Sequence, residues 1–282
     1  AVRPAGPDRP GLVMAIVNRT PDSFYDQGAT FTDAAALAAV DRAVTEGAIS
    51  WTSAVSRRDP ATSSTARRRS GGSCPSLQRS VSGTGCAHQC RHVAQRSGPA
   101  RGRRGRRLIN DTWAGADPEL VDVAAQLGVG IVCSHTGGAI PRTRPHRVRY
   151  ADIVSEVAAE VVGAAEDAAR RGVATDSILI DPTHDFGKNT YHGLELLRHV
   201  DVLVNSGWPV LMALSNKDFV GETLGVELAE RLEGTLAATA LSAAAGARVF
   251  RVHEVAATRR VVDMTAAIVG TRRPARTVRG LA

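Results

Sequence analysis

Residues 49–107 break the pattern of the rest of the chain, and the break limits what can fold here. The stretch holds thirteen Arg, eleven Ser, seven Gly, three Pro, no Lys and one acid, Asp59, so four residue types fill 34 of its 59 positions. Its net charge is +12, whereas the remainder of the 282-residue chain balances at −5. The overall excess of basic charge therefore belongs to one segment. Outside it lies a mildly acidic, Ala/Val/Leu-rich polypeptide, long enough to bury a sizeable core in one domain.

Several classes of protein are excluded on this footing. No run of about 18 uncharged apolar residues is present, and the Pro-rich start over residues 1–11 lacks the apolar stretch of a signal peptide, so a cytoplasmic protein with a flexible arm is expected. Three of the four cysteines, Cys74, Cys86 and Cys90, fall inside the odd segment, which argues against a disulfide framework. The Cys86, His88, Cys90, His92 alternation does not match the spacing of a structural zinc site. A basic segment could contact nucleic acid, but this one has only Trp51 as an aromatic and no Lys, so nucleic acid and membrane are not expected partners.

On either side of the segment the chain alternates between short apolar runs and amphipathic stretches. Residues 12–17 are a buried-strand pattern ending at Asn18 and a Thr-Pro-Asp-Ser turn; a helix capped by Asp33 follows, with Leu37, Val40 and Val44 on its apolar face. Strand patterns at 108–109, 130–133, 178–180, 210–214 and 249–252 each stop at a polar residue, and helical spacing predicts helices over 118–127, 150–171, 227–245 and through 262–268. Six strand-then-helix units with polar residues at the strand ends predict a (β/α)8 barrel with its site at the carboxyl face. The odd segment is about as long as two such units and stands where the second and third belong.

Taken singly, the polar strand ends are turn and cap residues. Taken in order they are specific. Asn18-Arg19-Thr20-Pro21-Asp22-Ser23-Phe24, Ile109-Asn110-Asp111, Asp181-Pro182 with Phe186-Gly187-Lys188, Ser215-Asn216-Lys217 and Arg251-Val252-His253 closely resemble the ordered motifs of the dihydropteroate synthase family. The resemblance spans residues 12–48 and 108–270 and implies a pterin-binding TIM barrel over 12–270, followed by a basic tail over 271–282. It also implies a chemistry: 6-hydroxymethyl-dihydropterin diphosphate condenses with 4-aminobenzoate, and diphosphate leaves.

Carried over residue by residue, Asp181 and Asn110 would hold the pterin edge, Lys217 would donate to the opposite edge, and Phe186 and Ser215 would belong to the substrate-binding set. Arg251 would stack on the ring and reach the phosphates beside His253, and Asn18 would ligate Mg²⁺ on the diphosphate. No catalytic residue is assigned. A homodimer is implied as well.

The departures are equally definite. The second-strand sequence of the family and its third-strand Ser-Val-Asp-Thr type sequence are missing; Trp51-Thr52-Ser53 and Cys90-Arg91-His92-Val93 occupy those places. One pterin carboxylate and the cover that excludes water are thereby lost. In a GC-rich gene a shifted reading frame turns Ala, Gly, Val and Asp codons into Arg, Ser, Pro and Cys codons, so residues 49–107 read as an out-of-frame translation and the second and third βα units are expected to be disrupted. Outside the segment, Arg19, Thr183, Asp185 and Asn216 replace the family's usual Val, two Gly and Arg, and Cys133-Ser134-His135-Thr136 stands at its Met-His region. Synthase activity is expected to be weak or lost; the alternative is an inactive paralogue that binds a pterin-like ligand or a protein partner.

Overall fold

The computed structural model describes residues 11–18, 33–48, 50–54, 91–94, 107–112, 114–138 and 149–279. Most of the basic segment, the arm, the turn after Asn18 and the far end of the tail lie outside these residues. Eight strands form one sheet: β1 Leu12–Asn18, β2 Ser50–Ala54, β3 Arg91–Ala94, β4 Arg107–Asp111, β5 Gly130–Ser134, β6 Ile178–Asp181, β7 Leu211–Met212 and β8 Val249–Val252. They are ordered β6-β5-β4-β3-β2-β1-β8-β7. A parallel bridge between Ile180 and Val210, with Ile180 N donating to Pro209 O at 3.1 Å, joins the two ends into a barrel.

The helices pack outside. α1 (Asp33–Thr45) follows β1, α2 (Leu120–Leu127) follows β4, and α3 (Ile153–Arg170) follows β5. α4 (Thr190–Arg198) and α5 (Val200–Asn205) follow β6; α6 (Asp218–Leu224) and α7 (Leu232–Ala244) follow β7; α8 (Val255–Ile268) follows β8. α3 shows why the sequence was readable here. Asp152 caps it by accepting from Val154 N and Ser155 N, while Glu156 reaches back to Ala151 N and Asp152 N. Ile153, Val157, Val161 and Ala165, placed at helical spacing by the sequence, are all buried.

Strands stand at both places assigned to the family's second and third strands, but they differ in direction. β2 runs parallel to β1, with Trp51 level with Ala15. β3 runs antiparallel to both neighbours, pairing Arg91 with Asn110 and Trp51 with Ala94. The chain thus leaves β2 at the carboxyl face and re-enters β3 from that same face. Sheet pairing uses backbone N–H and C=O groups, which residues of any type supply, so a gap between β2 and β4 attracts an extended segment even where the side chains carry no inward apolar pattern.

Successive strand residues face opposite sides, and the barrel separates them cleanly. Val13, Ala15, Ile109, Ile131, Ile178, Ile180, Met212, Phe250 and Val252 face the helices as part of the larger core cluster. Met14, Val132, Leu179, Leu211, Ala213 and Val249, with Leu12 and Leu108 packed against them, fill the lumen. The lumen layer sets the position of everything that follows.

Candidate functional site

Two residues beyond the lumen layer, on the same side of each strand, the side chains turn polar. Leu108 is followed by Asn110 and Thr112, Val132 by Ser134, Leu179 by Asp181, Ala213 by Ser215, and Val249 by Arg251. All six polar residues are buried. Asn110 Oδ1, Thr112 Oγ1, Ser134 Oγ and two guanidinium nitrogens of Arg251, Nε and Nη1, have no hydrogen-bond partner among the described residues. A buried polar atom left without a partner costs about 1–3 kcal/mol, so a ring of them at one level is a feature that a polar occupant would satisfy.

Asp181 is the electrostatic centre. Burial pushes its carboxyl above the usual carboxylate range, and Arg251 does most to hold it ionised, helped by the Thr183 N–H, Lys217 and Lys188. Arg251 in turn is depressed by burial, and Asp181 is the carboxylate that opposes this. Each charge makes the other's burial tolerable.

Lys217 donates from Nζ to the His184 carbonyl at 3.0 Å and lies 4.8 Å from the centre of the Phe186 ring, a cation–π contact. Ser215 Oγ lies 2.9 Å from His253 Nδ1 and 3.3 Å from Glu254 Oε2, and it accepts from His253 N. One ring nitrogen of His253 is therefore held by Ser215, which orients the ring rather than standing apart from it. Of the expected site residues, the structure brings Asp181, Arg251, Lys217 and Phe186 together, pairs Ser215 with His253, and sets Asn110 on the lumen side. Asn18 ends β1 level with Ala54, and its backbone alone is described.

The β6–α4 loop keeps the shape that glycines would permit although two of them are gone. Thr183 and Asp185 both take positive φ, 51° and 68°, a conformation that costs roughly 1–3 kcal/mol for such residues. Their side chains supply the compensation. Thr183 N donates to Asp181 Oδ1 at 2.7 Å, and Thr183 Oγ1 donates to Asp181 O while accepting from His135 N. The Asp185 carboxylate accepts from Asp218 N and Phe219 N, capping α6. Gly187 has no such latitude: at φ 64° a Cβ would lie 2.0 Å from Thr136 O.

Lys188, singled out in the sequence only as part of a motif, ties this loop to β5. Its Nζ lies 2.7 Å from His135 Nδ1 and donates to the carbonyls of His135, Thr183 and Phe186. Burial lowers the ammonium to about 7, while four acceptors around Nζ favour the charged form. When Nζ is charged it only donates, so His135 Nδ1 accepts and the ring N–H is on Nε2, 3.3 Å from Glu160 Oε2. Period-two spacing from Asn110 and Asp181 would have exposed Ser134 and Thr112; nothing in the sequence announces the Lys188–His135–Glu160 chain.

Comparison with known proteins agrees with this geometry. A family model described as "Pterin binding enzyme" matches residues 93–253. A Mycobacterium leprae protein named inactive dihydropteroate synthase 2 is 57% identical over 99% of this chain and 98% of its own length. Dihydropteroate synthase of Neisseria meningitidis serogroup C is 34% identical over 90% of each chain. The solved dihydropteroate synthase of Xanthomonas albilineans in complex with 7,8-dihydropteroate superposes with a TM-score of 0.66 at 30% identity, covering 94% of this chain and 95% of that one. The barrel with its polar strand ends thus has a family, and the chain belongs to the dihydropteroate synthase family of pterin-binding enzymes. No helix among the described residues is long and apolar enough to cross a membrane.

Proposed function

We propose that this chain is a dihydropteroate synthase-like barrel that holds a pterin in its lumen but has lost, or nearly lost, the condensation with 4-aminobenzoate. One contrast carries the reading. The set on β4, β6 and β8, Asn110, Asp181 and Arg251, is buried with polar atoms to spare, whereas the third strand runs antiparallel to both neighbours and its Arg-His-Val-Ala sequence carries no aspartate. The name of the Mycobacterium leprae relative points the same way.

In this reading the ionised Asp181 accepts from the pterin's amino and ring N–H groups, and Asn110 donates and accepts beside it. Lys217 donates to the far edge. Arg251 stacks on the ring and, with His253, faces the diphosphate. By the family resemblance Asn18 would be the one protein ligand to a Mg²⁺ held on the diphosphate. A bound Mg²⁺ would neutralise charge on the leaving group.

We attribute residues 49–107 to an out-of-frame translation that disrupts the second and third βα units. Translating the underlying DNA in the other two frames should yield a second-strand sequence and a Ser-Val-Asp-Thr type third strand; finding neither contradicts this. Synthase turnover then separates the readings. Product formation should be absent or barely detectable with this chain and should stay weak or absent in a frame-restored version, which keeps Arg19, Thr183, Asp185 and Asn216; turnover of either at the level of an active synthase would overturn the proposal.

A homodimer is part of the same proposal. Leu241 on α7 and Met264 and Ile268 on α8 are 69%, 62% and 72% exposed, an apolar set on two neighbouring helices suited to a second copy. Sedimentation equilibrium should report twice the chain mass; a monomer at all concentrations would refute it.

A further inference from the structure

We infer that Ser134 is a specificity-determining contact of this pocket: its hydroxyl makes a direct hydrogen bond to the planar heterocycle held between Asn110 and Asp181. The inference rests on the pterin reading above and adds a residue that the family resemblance does not supply.

Ser134 is the last residue of β5, level with Asp181 in the register, and β5 lies between β4, which carries Asn110, and β6, which carries Asp181. It is two residues beyond Val132, a member of the lumen cluster, and so shares its side of the sheet. Only 3% of Ser134 is exposed, and its Oγ has no partner among the described residues. A serine hydroxyl on a loop or helix readily bonds a nearby carbonyl. At a strand end whose backbone groups are committed to the sheet, this one is left facing the same space as Asn110 Oδ1.

The chemistry of the partner follows. A hydroxyl can donate and accept through one rotor, so it suits the edge of a flat 2-amino-4-oxo ring, where N–H, ring nitrogen and carbonyl groups alternate. It would not suit an apolar ring edge, which would leave the hydroxyl buried and unpaired. Thr112 Oγ1, also unpartnered and buried, lies two residues past Asn110 and extends the polar strip.

The test uses the full chain and two variants, Ser134→Ala and Ser134→Val, titrated with 6-hydroxymethylpterin as the probe and denatured in its absence. One lost hydrogen bond should weaken pterin binding by about fivefold in Ser134→Ala, and Val, which puts apolar atoms where the hydroxyl stood, should weaken it at least as much. The same Ala variant should be as stable as the parent or more so without ligand, because it removes a buried hydroxyl that no protein atom satisfies. Unchanged or tighter pterin binding by Ser134→Ala overturns the inference while leaving the pterin reading intact. Loss of stability in the unliganded variant also overturns it, since the hydroxyl would then serve the fold. Failure of the parent chain to bind the pterin overturns the pterin reading and this inference together.

Discussion

Between pH 6.5 and pH 5 this barrel should lose stability steeply, its two buried histidines together contributing an uptake of up to about two protons on unfolding. The cause is a pair of histidines kept neutral by burial. His135 and His184 each fall from 6.5 to about 3, burial first and the nearby Lys188 second. His184 has no exposed surface, and it packs against Phe219 with ring centres 5.4 Å apart.

The sign follows from linkage. Above pH 6.5 both rings are neutral folded or unfolded and nothing is lost; below it the unfolded chain binds protons that the folded chain refuses, so stability falls as pH falls. Two such groups remove about 3 kcal/mol per pH unit, against a typical net stability of about 5–15 kcal/mol. His192, lowered by partial burial, acts in the same direction. Asp181, Asp185 and Glu160, all raised by burial, oppose it, because their folded forms take a proton first as the carboxylate range is approached. Urea denaturation at stepped pH reads the slope, and His184→Leu should halve it. A flat profile from pH 7 to pH 5 would mean that the two rings are not held neutral.

Asp181→Asn is the second large effect. The substitution keeps an acceptor for the Thr183 N–H but removes the carboxylate that opposes the burial of Arg251. Losing one member of a buried ion pair in contact costs about 3–5 kcal/mol, whereas replacing both sides is often close to neutral. Asp181 and Arg251 act on each other through space, so at pH 7.5 the single variant should be destabilised by less than that, on the order of 1–3 kcal/mol, and Asp181→Asn combined with Arg251→Met should recover most of the loss. Equal destabilisation in the single and double variants would show that the two charges do not depend on each other.

The barrel was legible because its signals are local and periodic. Val132 before Ser134, Leu179 before Asp181 and Val249 before Arg251 repeat one rule, an apolar residue in the lumen and a polar one two places on. The spacing of Ile153, Val157, Val161 and Ala165 announced α3, and the Asp152 cap with Glu156 is what fixes its start. Strand direction is different. Nothing in Arg-His-Val-Ala says which way β3 runs, since the two neighbours accept it through backbone groups in either sense. Nor does a sequence tell how Thr183 and Asp185 sustain a loop built for glycine, because the compensating atoms, His135 N and the first N–H groups of α6, lie tens of residues away. Ser134 stood in the sequence only as part of a departure from the family's Met-His region; its place beside Asp181 is what gives it a role.

The central claim is that a pterin still sits on Asp181 in a barrel that no longer condenses it with 4-aminobenzoate. Calorimetric titration of 6-hydroxymethylpterin into the full chain at pH 7.5, beside the Asp181→Asn variant, tests it most directly. The expected result is saturable binding of one pterin per barrel that the variant loses by at least tenfold. Absence of saturable binding, or equal affinity in the variant, would contradict it.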